Sequence, residues 1–218
     1  MGFAAEPLEA RRVVVLISGN GSNLQALIDE PDLGGEIVAV ISDQPAAYGL
    51  ERARQAGIEA KHLSAKSFSQ REDYDRELSR LIDDYQPDLI ILAGFMRILS
   101  PFFTIKYHGK LLNVHPSLLP KYKGLNTHQR VLEAGDSEHG VSIHFVTEEL
   151  DGGPLIVQAK VSVEVDDDET SLAKKVQQQE HQLYPLIARW YLQGRLQLKG
   201  DTVTLDGQPL PKEGVLYS

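Results

Sequence analysis

A single α/β domain with a mostly parallel central sheet, flanked by helices and ending in a hairpin, is the fold this sequence predicts. Three patterns carry that expectation. Apolar, largely β-branched runs of strand length recur at residues 13–17, 37–41, 89–93 and 111–114. They are too continuous for one-faced strands and suit strands buried on both sides. Segments with helical spacing separate them, as βαβ units require. The first run is followed by a glycine-rich turn and then a helix, which makes the N-terminal half Rossmann-like.

Composition sets bounds on function. The chain has 218 residues, with 42% hydrophobic and 24% charged side chains, as expected for one ordinary globular domain. Residues 1–11 read as a flexible N-terminal extension without the apolar core or basic start of a secretory signal. No apolar run approaches a membrane span. Cysteine is absent, which excludes disulfides, thiolate nucleophiles and Cys-ligated zinc and fits the cytoplasm. A net charge of −9 argues against a large nucleic-acid footprint, although a local basic cluster can hide within an acidic total.

Taken in order, residues 12–18 form the first strand, and Gly19-Asn20-Gly21-Ser22-Asn23 the turn. Leu24, Leu27 and Ile28 then open a helix. Strand, glycine turn and helix aim free backbone N–H groups at an anion. A dinucleotide fingerprint wants a third glycine where Leu24 stands, yet Asp43 lies near the place of a ribose-binding acid. A Walker-type loop is excluded by the missing Lys-Ser/Thr pair. A small phosphate ester held by Gly21, Ser22 and Asn23 fits better, and a plain tight turn remains the bland alternative.

Residues 37–42 read as a strand, 49–56 as a helix closed by Gly57, and 58–63 as a short edge strand. Ser69 to Glu72 has capping-box spacing before a helical face of Tyr74, Leu78, Leu81 and Ile82. Arg71 sits in that first turn, where an acid is preferred; it is either a solvated surface charge or a waiting partner for an anion. After the strand 89–93, residues 94–99 leave its carboxyl end, the edge at which open α/β sheets bind ligands. Residues 128–134 look helical up to Gly135, and 141–146 and 155–161 read as strands. His139 and His144 match no zinc spacing, so no metal is expected. Asp151 before two glycines is an ordinary turn former. The acids 166–169 cap a long helix over 171–193 with Leu172, Val176, Leu183, Leu186, Ile187 and Trp190 buried. Residues 196–205 form the terminal hairpin.

The stretch 111–120 is where chemistry concentrates. Asn113 and His115 are two apart on a strand that Pro116 ends, so their side chains leave one face at a strand terminus. An amide donor and a proton-moving imidazole there suit catalysis. The same pair also suits mere satisfaction of strand-end backbone groups.

Four motifs occur in order: Ile17-Ser18-Gly19-Asn20-Gly21-Ser22-Asn23-Leu24-Gln25, Ala93-Gly94-Phe95-Met96-Arg97-Ile98-Leu99, Asn113-Val114-His115-Pro116-Ser117-Leu118-Leu119-Pro120 and Glu149-Leu150-Asp151-Gly152-Gly153-Pro154. Together they resemble the phosphoribosylglycinamide formyltransferases, folate-dependent enzymes of purine synthesis. The likeness runs from about Arg12 to the end of the long helix. The third motif is shared with methionyl-tRNA formyltransferase and formyltetrahydrofolate deformylase. Residues 18–23 with 123–128 narrow the choice, as does a length with no room for the extra domain of either relative.

The resemblance implies that glycinamide ribonucleotide attacks the formyl group of 10-formyltetrahydrofolate without a metal. Asn113 and a protonated His115 would stabilise the oxyanion, with Asp151 favouring the charged imidazole. Gly21, Ser22 and Asn23 would hold the ribonucleotide phosphate, and Gln177, Gln178, Gln179 and Glu180 its glycinamide and ribose. The folate would lie against Met96, Arg97, Ile98 and Leu99, Asn113, and Thr147, Glu148, Glu149, Leu150 and Asp151, with Arg71 near its glutamate tail. One domain over 12–218 then divides into a phosphate-binding half, 12–110, and a catalytic and folate half, 111–218. The expected state is a monomer or weak homodimer with no nucleic-acid or membrane partner. A hydrolase that gives the formyl group to water, and a catalytically silent folate- or phosphate-binding module, are the alternatives.

Overall fold

The computed structural model describes residues 10–217; residues 1–9 of the expected extension lie outside the described residues. The strands β1 (Arg12–Ile17), β2 (Glu36–Ser42), β3 (Glu59–His62), β4 (Leu89–Leu92) and β5 (Leu111–His115) pair in parallel in the order β5-β4-β1-β2-β3. Between them run α1 (Ser22–Asp29), α2 (Tyr48–Gln55), α3 (Arg71–Asp83) and α4 (Pro101–Lys106).

Strand β1 shows how the sequence writes this arrangement. Val13, Val15 and Ile17 are buried with Leu24 and Leu27 of α1 and Leu50 of α2. Val14 and Leu16 are buried with Tyr74, Leu78 and Ile82 of α3 and Phe103 of α4. Alternate residues thus serve two layers, which is why the run is apolar throughout. Each such side chain, fully buried, contributes roughly 1.5–3 kcal/mol.

Beyond β5 the chain turns to α5 (Thr127–Ala134), and the sheet becomes antiparallel through β6 (Glu138–Phe145) and β7 (Leu155–Ser162). Helix α6 (Glu169–Leu192) returns across the layer of α1, burying Leu183 and Ile187 in the same cluster as Leu24. The capping box belongs to this helix: Asp168 accepts from the Ser171 N–H at 2.8 Å, and Ser171 Oγ accepts from the Asp168 N–H at 3.0 Å. The acidic run therefore caps, as expected.

Some expectations needed correction. Ser69 is not the cap of α3; the helix starts one residue later, behind Gln70, with no side-chain cap. Leu186 and Trp190 are only half-buried, whereas Tyr184, Ala188 and the polar Glu180 are buried on α6. The hairpin of β8 (Leu196–Lys199) and β9 (Thr202–Leu205) forms, and β10 (Gln208–Pro209) extends it to three strands. The chain then rejoins the main sheet as β11 (Val215–Tyr217), parallel to β7. The sequence carries no period for helix α4 or strand β11, because six and three residues are too few to display one. Among the described residues no helix is long and apolar enough to cross a membrane.

Candidate active site

Two loop systems meet at the carboxyl edge of the parallel strands. The first follows β1. Gly21 is the N-cap of α1 with φ of 78°, in the left-handed region, and no side chain caps the helix. A Cβ on Gly21 would stand 2.7 Å from the Gly49 Cα, and one on Gly49 would stand 2.4 Å from Ile17 Cδ1. Glycine at both places lets the starts of α1 and α2 approach, and the Gly49 N–H donates to the Gly19 carbonyl at 3.1 Å. The first-turn N–H groups of α1 thus lack a side-chain partner, the arrangement that receives an anion.

Asn23 does not offer its amide freely. Its Nδ2 donates to Glu180 Oε2 at 2.9 Å, and its Oδ1 is buried without a partner. Burial pushes the Glu180 carboxyl up, against the opposing pull of this Asn23 bond. Of the four expected residues on α6, Glu180 is buried, Gln179 half-buried, and Gln177 and Gln178 exposed. Successive helical residues turn by about 100°, so the four spread around the helix, with Gln177 and Glu180, three apart, nearest to sharing a face. Asp43, where a dinucleotide would want its ribose acid, accepts from Ser18 Oγ at 2.6 Å instead.

The second system surrounds β5. Leu111 is buried on the α3 side and Leu112 on the α6 side, so alternation puts Asn113 and His115 on the face of Leu111. His115 Nε2 meets the Tyr122 carbonyl at 2.8 Å, and its Nδ1 lies 3.5 Å from Asp151 Oδ2. A carbonyl only accepts, so Nε2 carries hydrogen. Asp151 Oδ2 also accepts from the Gly124 N–H at 2.8 Å. Its loop folds back because residue 153 is glycine: a Cβ there would stand 1.8 Å from the Phe145 carbonyl oxygen.

His144 completes the group. It pairs across the antiparallel ladder with Asn113, and the Asn113 amide lies 3.2 Å from its Nε2. His144 Nδ1 lies 2.8 Å from the Phe145 carbonyl, so Nδ1 carries hydrogen and Nε2 accepts from Asn113. Burial pushes this histidine's pKa down, which keeps it neutral. The second amide hydrogen of Asn113 remains for the cavity. Sequence reasoning missed His144 as a site member, because its place depends on the register between β5 and β6.

Two cavities adjoin Asn113 and Asp151. One of about 450 Å³ is lined by Met96, Arg97, Ile98, Asn113, His115, Asn126, His128 and Leu150 among others. The other, about 80 Å³, is lined by Arg97, Ile98, Leu99, Asn113, His144, Thr147, Glu148, Glu149 and Leu150. The Arg97 guanidinium stacks on the Tyr74 ring at 4.4 Å. Met96, Ile98, Leu125 and Leu150 are exposed large apolar side chains around the wider cavity, a concentration that marks a binding surface. Arg71, exposed at the start of α3, lines neither cavity.

A family model described as formyl transferase matches residues 11–188. Phosphoribosylglycinamide formyltransferase of Escherichia coli (strain K12) is 58% identical over 205 residues, which are 93% of this chain and 97% of that one. The same enzyme of Haemophilus influenzae is 47% identical over 207 residues, 94% of this chain and 98% of the relative. A solved structure of the Coxiella burnetii phosphoribosylglycinamide formyltransferase, in complex with CHES, superposes with a TM-score of 0.92 at 49% identity, covering 96% of this chain and all of that one. The chain belongs to the phosphoribosylglycinamide formyltransferases. Like them it is an enzyme, a one-carbon group transferase. In this formyltransferase the family match ends inside α6, so the small sheet and β11 lie beyond the matched segment.

Proposed function

We propose that this chain transfers the formyl group of 10-formyltetrahydrofolate to the amine of glycinamide ribonucleotide, in de novo purine synthesis, at Asn113, His115 and Asp151. The convergence of those three side chains from β5 and a distant loop carries the reading. The ribonucleotide phosphate sits at the uncapped start of α1, at Gly21, Ser22 and Asn23, with Glu180 beside it. The folate lies in the adjoining cavities, its flat apolar parts against Met96, Ile98 and Leu150.

The amine nitrogen bonds to the formyl carbon, and the bond from that carbon to folate N10 breaks. The amine's proton ends on N10, so no proton is released overall. Negative charge develops on the formyl oxygen at the tetrahedral stage. Asn113, oriented by His144, aims its free amide hydrogen at that oxygen, with the His115 ring beside it on the same strand face; such preorganised groups supply the largest part of catalysis at acyl centres. Asp151 Oδ2, 3.5 Å from His115 Nδ1, holds the ring in place, and the pair relays the amine's proton towards N10.

The phosphate half and the catalytic half share the two substrates: Glu180 of the second reaches the ribonucleotide held by the first, and Met96 to Leu99 of the first reach the folate. The active species is a monomer or weak homodimer. The test is to mix the protein with 10-formyltetrahydrofolate, with and without glycinamide ribonucleotide, and follow the folate spectrum. Turnover only with the ribonucleotide is expected. Turnover without it makes the protein a hydrolase, and saturable binding without turnover makes it a silent module.

A further inference from the structure

Three strand ends meet at one hydroxyl. Ser18, just after β1, donates from Oγ to Asp43 Oδ1 at 2.6 Å and accepts from the Met96 N–H at 2.9 Å. Asp43 follows β2 and is 6% exposed; its other carboxylate oxygen accepts from Gln44 Nε2 at 3.1 Å. The backbone ladder between β1 and β4 ends at Leu16 and Leu92, with one more bond from the Ala93 N–H to the Leu16 carbonyl. Past that point the Ser18–Met96 bond joins the loop leading to Gly21 with the loop that walls the wider cavity.

We propose that Ser18 and Asp43 act as one positioning unit for formyl transfer, a role that rests on the substrate placement above. The two reactants are held on different loops, so the distance from amine to formyl carbon depends on what ties those loops. Asp43 fixes the direction of the Ser18 O–H, which leaves the oxygen's lone pairs for Met96. Reacting atoms must meet at about 3–3.5 Å, and a displacement near 1 Å can cost up to about 10²-fold.

The test compares Ser18→Ala, Asp43→Ala, their combination and Asp43→Asn. Each alanine variant should lower kcat about tenfold, and the double variant no further, as for residues acting as a unit. Dissociation constants for each substrate alone, by calorimetry, should stay within about threefold, and melting temperatures should match closely enough to show folded protein. Asp43→Asn keeps a carbonyl oxygen to accept from Ser18 and should retain kcat within about threefold. Unchanged kcat, losses that add, or single-substrate affinities falling as far as kcat/KM would overturn the proposal. Asn23→Ala separates the two levels. If it leaves the ribonucleotide KM unchanged, the phosphate-loop assignment fails; if it raises that KM while Ser18→Ala does nothing, only the tie fails.

Discussion

The two loop systems at the sheet edge are built by different means. The start of α1 is shaped by backbone crowding, with Gly21 against Gly49 and Gly49 against Ile17. The β5 side is shaped by titratable side chains: His115 with Asp151, His144 with Asn113, and His128 with His139. A site that recognises a fixed charge needs rigid donors, while a site that moves a proton needs groups able to change state. Substitutions in the first should therefore appear in binding and packing, and substitutions in the second in kcat and pH dependence.

The largest effect should come from the second system. Asp151→Asn keeps shape but removes the charge beside His115, and kcat should fall by roughly 10²–10⁴, the range of a positioned acid–base group. His115→Ala in that background should add much less than it does alone, because the pair acts as a unit. A kinetic double-mutant cycle measures this. Simple additivity would reduce Asp151 to a turn residue.

On the phosphate side, Asn23→Ala removes the amide that bonds the buried Glu180 carboxyl and leaves that acceptor unsatisfied, at a cost of about 1–3 kcal/mol. The loss should raise the ribonucleotide KM and leave kcat largely intact. The part of that loss that runs through the Asn23–Glu180 bond should not recur when Asn23→Ala is made in a Glu180→Ala protein, which has no acceptor left to lose. A full second loss would mean that Asn23 contacts the ligand by itself. Gly21→Ala should destabilise the fold by roughly 1–3 kcal/mol, since it combines φ of 78° with the approach to Gly49. Denaturant unfolding would show this, and a variant as stable as the parent would show that α2 shifts freely.

Legibility in the sequence divides along the same line. The parallel strands were readable because burial on both faces leaves an uninterrupted apolar record, as in Val13 to Ile17. Asn113 and His115 were readable because strand geometry alone puts residues two apart on one face. His144 was not, because its partnership with Asn113 exists only once β6 pairs antiparallel with β5. The Asn23–Glu180 bond spans 157 residues and leaves no local pattern. Four consecutive polar residues on α6 looked equivalent in the sequence, and helical rotation separates them. Ser69 matched the spacing of a cap but stood one residue too early.

The smallest effect is the pH dependence of stability that comes from the His128–His139 pair. His128 Nδ1 and His139 Nε2 lie 2.9 Å apart, and the other ring nitrogen of His139, Nδ1, is buried without a partner. Burial first, then the nearby His128 and His115, push the His139 pKa down to about 4, against a weaker upward pull from Asp136. Burial likewise lowers that of His128, although Glu169 opposes it. An unfolded histidine titrates near 6.5. Between about 4 and 6.5 the unfolded chain therefore binds more protons than the folded one, so stability rises with pH across that window. The contribution is full above the unfolded value and is lost as pH falls towards 4. His139→Gln should flatten this part of a melting-temperature profile, with little change at pH 8. Gly21→Ala, in contrast, should lower the profile uniformly at every pH. A His139→Gln profile parallel to the parent's through the window would show that the buried imidazole pair does not titrate with folding.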